Sequence, residues 1–71
     1  MTFMQFKDLI LKPQYRLARI IHIRDDVEEY GSFRPGINGA VPKGWGWILG
    51  YHIDHSSLQV NESKELFVRI F

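Results

Sequence analysis

The sequence predicts a small α+β domain in which one short N-terminal helix packs on an antiparallel sheet of four to five strands. Three observations carry that expectation. Apolar residues recur at helical spacing near the start of the chain, at Phe3, Phe6, Leu9 and Ile10. Further on, short runs rich in Ile, Val, Tyr and Phe alternate with polar residues and are separated by turn formers. All six glycines fall between Gly31 and Gly50, so irregular backbone is concentrated between two regular segments. A small SH3-like barrel carrying an N-terminal helix is the alternative arrangement of the same elements.

The helix is expected over residues 3–11. Thr2 can cap it, and Gln5 stands three residues on, at the spacing of a capping box. Pro13 stops it, because the residue before a proline avoids helical backbone. A helix this short does not hold by itself, so Phe3, Phe6 and Ile10 are expected to pack on the sheet. Tyr15 to Arg24 reads as a strand. One side carries Tyr15, Leu17, Arg19, Ile21 and Ile23, and the other Arg16, Ala18, Ile20, His22 and Arg24. The first side looks the more buried. Asp25-Asp26 is a turn, and Val27 to Phe33 returns as a short strand. Residues 34–44 form a long loop of a kind that is commonly functional or mobile.

Residues 45–53, Trp-Gly-Trp-Ile-Leu-Gly-Tyr-His-Ile, read as a strand. Alternation then places Trp45, Trp47 and Tyr51 on one face and Gly46, Ile48 and Gly50 on the other, which is flat enough to accept the helix. At least one tryptophan is expected to stay partly exposed. Asp54 to Ser57 reads as a turn, Leu58 to Val60 as a brief strand and Asn61 to Lys64 as a turn. Glu65 to Phe71 closes the sheet, with Leu66, Val68 and Ile70 inward.

With 71 residues, the chain makes one globular unit over 1–71. Nine Lys+Arg against eight Asp+Glu leave a net charge of +1, so no single-sign field points to nucleic acid or an anionic membrane. Cysteine is absent, which removes the disulfide staple of small secreted folds. No apolar run approaches the roughly 20 residues of a membrane span, and the first residues lack the pattern of a secretion signal. A cytoplasmic location is the expectation.

His52, Asp54 and His55, with His22 elsewhere, are the only candidate metal ligands. Zinc needs three or four converging donors, which this spacing does not supply, so no metal or cofactor is expected. Ser56 and Ser57 beside His55 and Asp54 do not make a triad, because neighbours along a strand point to opposite faces. Asp25, Asp26, Glu28 and Glu29 read as a solvated acidic run. Gly36-Ile-Asn-Gly39 matches a GxxG, but no helices flank it as nucleotide clamping requires. The expectation is therefore a non-enzyme.

Ten aromatic residues in 71 exceed what one small core hides. Interfaces enrich Trp, Tyr, Phe and Arg around a few buried anchors. The sequence thus favours a small protein-binding domain using Trp45, Trp47 and Tyr51 with Tyr30, Phe33, Arg34 and Lys43 from the adjoining strand and loop. An inhibitor, adaptor or small subunit suits the size, a phage-type inhibitor of a host enzyme being one instance. The alternative partner is single-stranded nucleic acid, stacked on the same rings among Arg16, Arg19, Arg24, Arg34 and Lys43.

Overall fold

Thr2 opens helix α1 (Phe3–Leu9) with a complete capping box. The Gln5 backbone N–H donates to Thr2 Oγ1 at 3.1 Å, and the Thr2 N–H donates to Gln5 Oε1 at 2.9 Å. Two of the orphan donors at the helix start are thereby satisfied. The backbone N–H groups of Ile10 and Leu11 both turn back to the Phe6 carbonyl and end the helix two residues before the predicted limit. Phe6, Ile10 and Leu11 enter the core. Phe3 does not: it is exposed, as is Met4. A two-turn helix offers the sheet only one narrow stripe, and Phe6 and Ile10, four residues apart, occupy it.

The computed structural model describes residues 1–36 and 39–71. Ile37 and Asn38, the centre of the GxxG and of the predicted loop, lie outside the described residues. Four strands follow the helix: β1 (Leu17–Arg24), β2 (Val27–Phe33), β3 (Ile53–Val60) and β4 (Glu65–Ile70). Their spatial order is β2-β1-β4-β3. The hairpins β1–β2 and β3–β4 are antiparallel, while the seam between them, β1–β4, is parallel. The domain is therefore α+β, a short N-terminal helix on a four-stranded mixed sheet. The Asp25-Asp26 turn has positive φ at both residues, +50° and +63°. That is the primed hairpin geometry whose twist matches the strands it joins.

The registers decide which face is buried, and they reverse the expectation for β1. Ala18, Ile20 and His22 lie opposite Leu66, Val68 and Ile70 of β4, and all six are buried. Leu17, Arg19, Ile21 and Ile23 face the other way, where no element among the described residues covers the sheet, and Ile23 is exposed. The Leu17 side is the more apolar in composition. It loses because β4 has only one strongly apolar face, and the register ties that face to Ala18, Ile20 and His22.

Residues 45–53 do not form a strand. Gly46–Gly50 is a 3₁₀ helix, and a series of three-residue turns runs from Trp45 N–H to the Pro42 carbonyl, Ile48 to Trp45, and Tyr51 to Ile48. Two glycines weaken the segment as a strand, and spacing of three brings Trp45, Ile48 and Tyr51 to one side. Ile48 is fully buried in the core, so it is no part of a flat glycine face. The connection has to pass from β2 at one sheet edge to β3 at the other, and Ile48 pins it to the covered face. The Met1 amino group donates to the carbonyls of Leu49 and Tyr51, tying the start of α1 to this crossover.

Asp54 to Ser57, expected as a turn, lies within β3 as a bulge. Pairing with β4 shifts register between Asp54 and Gln59. Asp54 Oδ1 accepts from the Ser56 N–H at 3.2 Å and from Ser56 Oγ at 2.6 Å. Ser57 Oγ donates to the Asp54 carbonyl at 2.6 Å and accepts the Arg69 N–H at 2.8 Å. The turn chemistry of Asp and Ser is spent inside the strand.

Candidate functional site

The 3₁₀ helix and the strands under it assemble a continuous chain of rings. Phe6 meets Phe33 edge-on at 5.9 Å, and Phe33 meets Trp45 at 4.8 Å. Trp45 stacks on Trp47 at 5.3 Å and 28°. Trp47 meets Tyr51 edge-on at 5.5 Å, and both contact the His22 ring, at 5.7 and 4.4 Å respectively. One end of the chain lies in the core at Phe6. The other reaches solvent at Trp47, which is 45% exposed. Trp45 and Tyr51 are half-buried between them.

Gly31 of β2 lets Trp45 lie this close. A Cβ built there would stand 2.6 Å from Trp45 Cη2. The indole thus rests on bare backbone, and a cleft opens beside it. Ile20, His22, Glu29, Tyr30, Gly31, Trp45 and Trp47 line that cleft, whose volume is ≈ 240 Å³. A more open recess adjoins it, sharing His22, Glu29 and Trp47 and reaching Arg24 and Tyr51. His22 forms part of the floor and is 7% exposed.

Of the residues singled out from the sequence, Phe33, Trp45, Trp47 and Tyr51 meet in one cluster. Alternation along a strand is not what unites them; the 3₁₀ turns and the ring contacts are. Tyr30 is 68% exposed and joins the cleft wall, while its hydroxyl donates to Glu28 Oε2 at 2.9 Å. That hydrogen bond, together with the charge of the carboxylate, holds the phenol above its ordinary pKa. Arg34 and Lys43 are exposed, stand outside the cluster, and pair with no acid among the described residues.

The reading from sequence missed His22, Glu29 and Gly31, which make the floor and rim. Period-two alternation was the signal for them. It places His22 with Ile20 and Ala18, but composition assigned that side of β1 to solvent.

His52 lies against the Phe71 ring at 5.6 Å, and Asp54 is engaged by Ser56. Among the described residues no three His, Asp or Glu side chains gather to hold a metal ion. No helix there is long and apolar enough to cross a membrane. Comparisons with family models, with curated proteins and with solved structures find no match for the chain.

Proposed function

We propose that the protein is a non-enzymatic binding domain that recognises another protein through the ring ledge of Trp45, Trp47 and Tyr51 and the neighbouring strand β2. The observation that carries this reading is Trp47, a large ring half in solvent at the end of a stack that runs into the core. Anchors of this kind lose little side-chain freedom on binding, because their neighbours already hold them. The cations weigh against nucleic acid. Arg16 and Arg19 are held by Glu65, at 2.9 and 3.2 Å, and Arg24 and Arg69 have acids at 3.9 Å. The other five Lys and Arg are offset by the remaining acids to a net charge of only +1, so no strong basic field is offered to a phosphate backbone. An inhibitor, adaptor or small subunit acts in this way without chemistry of its own.

The test is capture by the immobilised chain before and after nuclease treatment, with Trp47→Ser compared against Val60→Ser on the far edge. Nuclease-resistant capture lost only in Trp47→Ser supports the reading, provided both variants unfold cooperatively. Capture that nuclease abolishes, or that Trp47→Ser leaves intact, overturns it.

A further inference from the structure

The cleft beside Trp45 has a chemistry more specific than a hydrophobic ledge. Glu29 is the one charged group lining the part beside Trp45, Arg24 standing in the adjoining recess, and among the described residues Glu29 makes no ion pair within 4 Å and its side chain accepts no hydrogen bond. Two other acids of this hairpin differ: Glu28 lies near Arg69 and accepts from Tyr30, and Asp25 lies near Arg24, while Asp26 sits at the turn and lines no part of the cleft. His22, 93% buried, forms ring contacts but no hydrogen bond to a described residue, and it opens to both parts of the cleft. Two indoles inclined at only 28° to each other form one wall, with Ile20, Tyr30 and Gly31 completing the lining. At ≈ 240 Å³ the space lies below the roughly 300–1,000 Å³ of sites for free small molecules, and it suits one side chain.

We infer that this cleft takes an arginine side chain presented by an extended segment of the partner protein. The inference rests on the protein-binding reading above and names the partner's chemistry. A guanidinium is planar, stacks on indole faces and delivers a fork of donors to a carboxylate, which Trp45, Trp47 and Glu29 together match. Among the described residues strand β2 pairs with β1 alone, which leaves its outer edge for an added strand. Residues of such a strand beside Glu29 and Gly31 would lie on the cleft side. Asp25 and Asp26 steer a basic segment toward that edge from the turn.

The probe is a capped seven-residue Gly/Ser/Thr peptide with a single central arginine, compared with versions carrying norleucine or glutamate there. Binding to the full chain is followed by NMR at the Trp47 indole N–H and the Glu29 amide. The arginine peptide is expected to bind at least about tenfold tighter than the norleucine one and to move both signals. Glu29→Gln should remove about tenfold of that affinity. Glu28→Gln takes the same charge from the opposite face of β2 and should leave binding unchanged. Equal binding of the arginine and norleucine peptides, equal loss in the two Gln variants, or no binding of any peptide overturns the inference. Trp47-dependent capture together with a peptide result of that kind removes the arginine and leaves the protein-binding reading standing. Capture indifferent to Trp47 removes both.

Discussion

Trp45 lies where a side chain at position 31 would stand, and one methyl group tests that packing. Alanine ordinarily improves a strand interior over glycine by about 0.5–1 kcal/mol. Here the added Cβ meets the far edge of an indole that Phe33 and Trp47 hold on either side. Overpacking of this kind costs about 1–3 kcal/mol, so the clash outweighs the gain in propensity. Gly31→Ala should lower the urea midpoint and change the near-ultraviolet dichroism of the stacked indoles. A raised midpoint with unchanged dichroism would show that Trp45 does not rest on Gly31. This glycine differs from Gly46 and Gly50, which the sequence also marks as sites of close approach. A Cβ at either of those two meets nothing within 4 Å. Glycine spacing alone does not distinguish a backbone that bends from one that receives a ring.

The elements differ in how far local sequence determines them. Helix α1, the Asp25-Asp26 turn and strands β1, β2 and β4 were legible because cap, turn and alternation agree within each segment. The segment around Trp47 was not, since Trp45, Trp47 and Tyr51 satisfy alternation while Trp45, Ile48 and Tyr51 satisfy a spacing of three. Burial of Ile48 settles the choice, and that depends on tertiary contacts. The β3 bulge was misread for a related reason: Asp54, Ser56 and Ser57 form a turn's hydrogen bonds without reversing the chain. Ser57→Ala should therefore destabilise β3–β4 by about 1 kcal/mol, because the Arg69 N–H loses its acceptor. Hydrogen exchange at the Arg69 amide should accelerate, and an unchanged rate would sink the assignment. The parallel seam is fastened at its start by Glu65, which accepts from Asn61, Arg16 and Arg19. The Asn61 hydrogen bond does most to hold this carboxyl below its ordinary pKa; burial, the next-largest effect, opposes it, and the Arg19 and Arg16 guanidiniums add further lowering. With the folded value below the unfolded one, its contribution is complete above the unfolded carboxylate range and fades as pH falls through the folded value. The melting temperatures of the wild type and Glu65→Gln should accordingly converge on acidification. A gap that stays constant from neutral to acidic pH would exclude this role.

At the scale of the whole molecule, one layer of helix and crossover covers one face of the sheet, and no element among the described residues covers the other. A domain of this size has only a few kcal/mol of net stability to lose. The assignment of faces is thus the most consequential statement about the fold, and adjacent residues on β1 test it directly. Ile20 is 1% exposed and lies between Gly31 and Val68, under the crossover. Ile21 points to the bare face, between Tyr30 and Arg69. Composition favours burying the Ile21 side, because Leu17 and Ile23 share it while the Ile20 side carries Ala18 and His22. The packed arrangement demands the reverse, since Leu66, Val68 and Ile70 need apolar neighbours in register. Ile20→Ala should cost about 2–5 kcal/mol, enough to unfold much of the population at room temperature. Ile21→Ala should cost about 1 kcal/mol or less, since its side chain keeps solvent contact in the folded state. Urea unfolding of the two variants, run side by side, measures the difference. Equal losses would mean that the bare face is covered in solution, and a larger loss for Ile21→Ala would reverse the sheet. The same contrast bears on recognition, because the ring ledge shares its face with Ile20, so a partner seated there builds outward from the core.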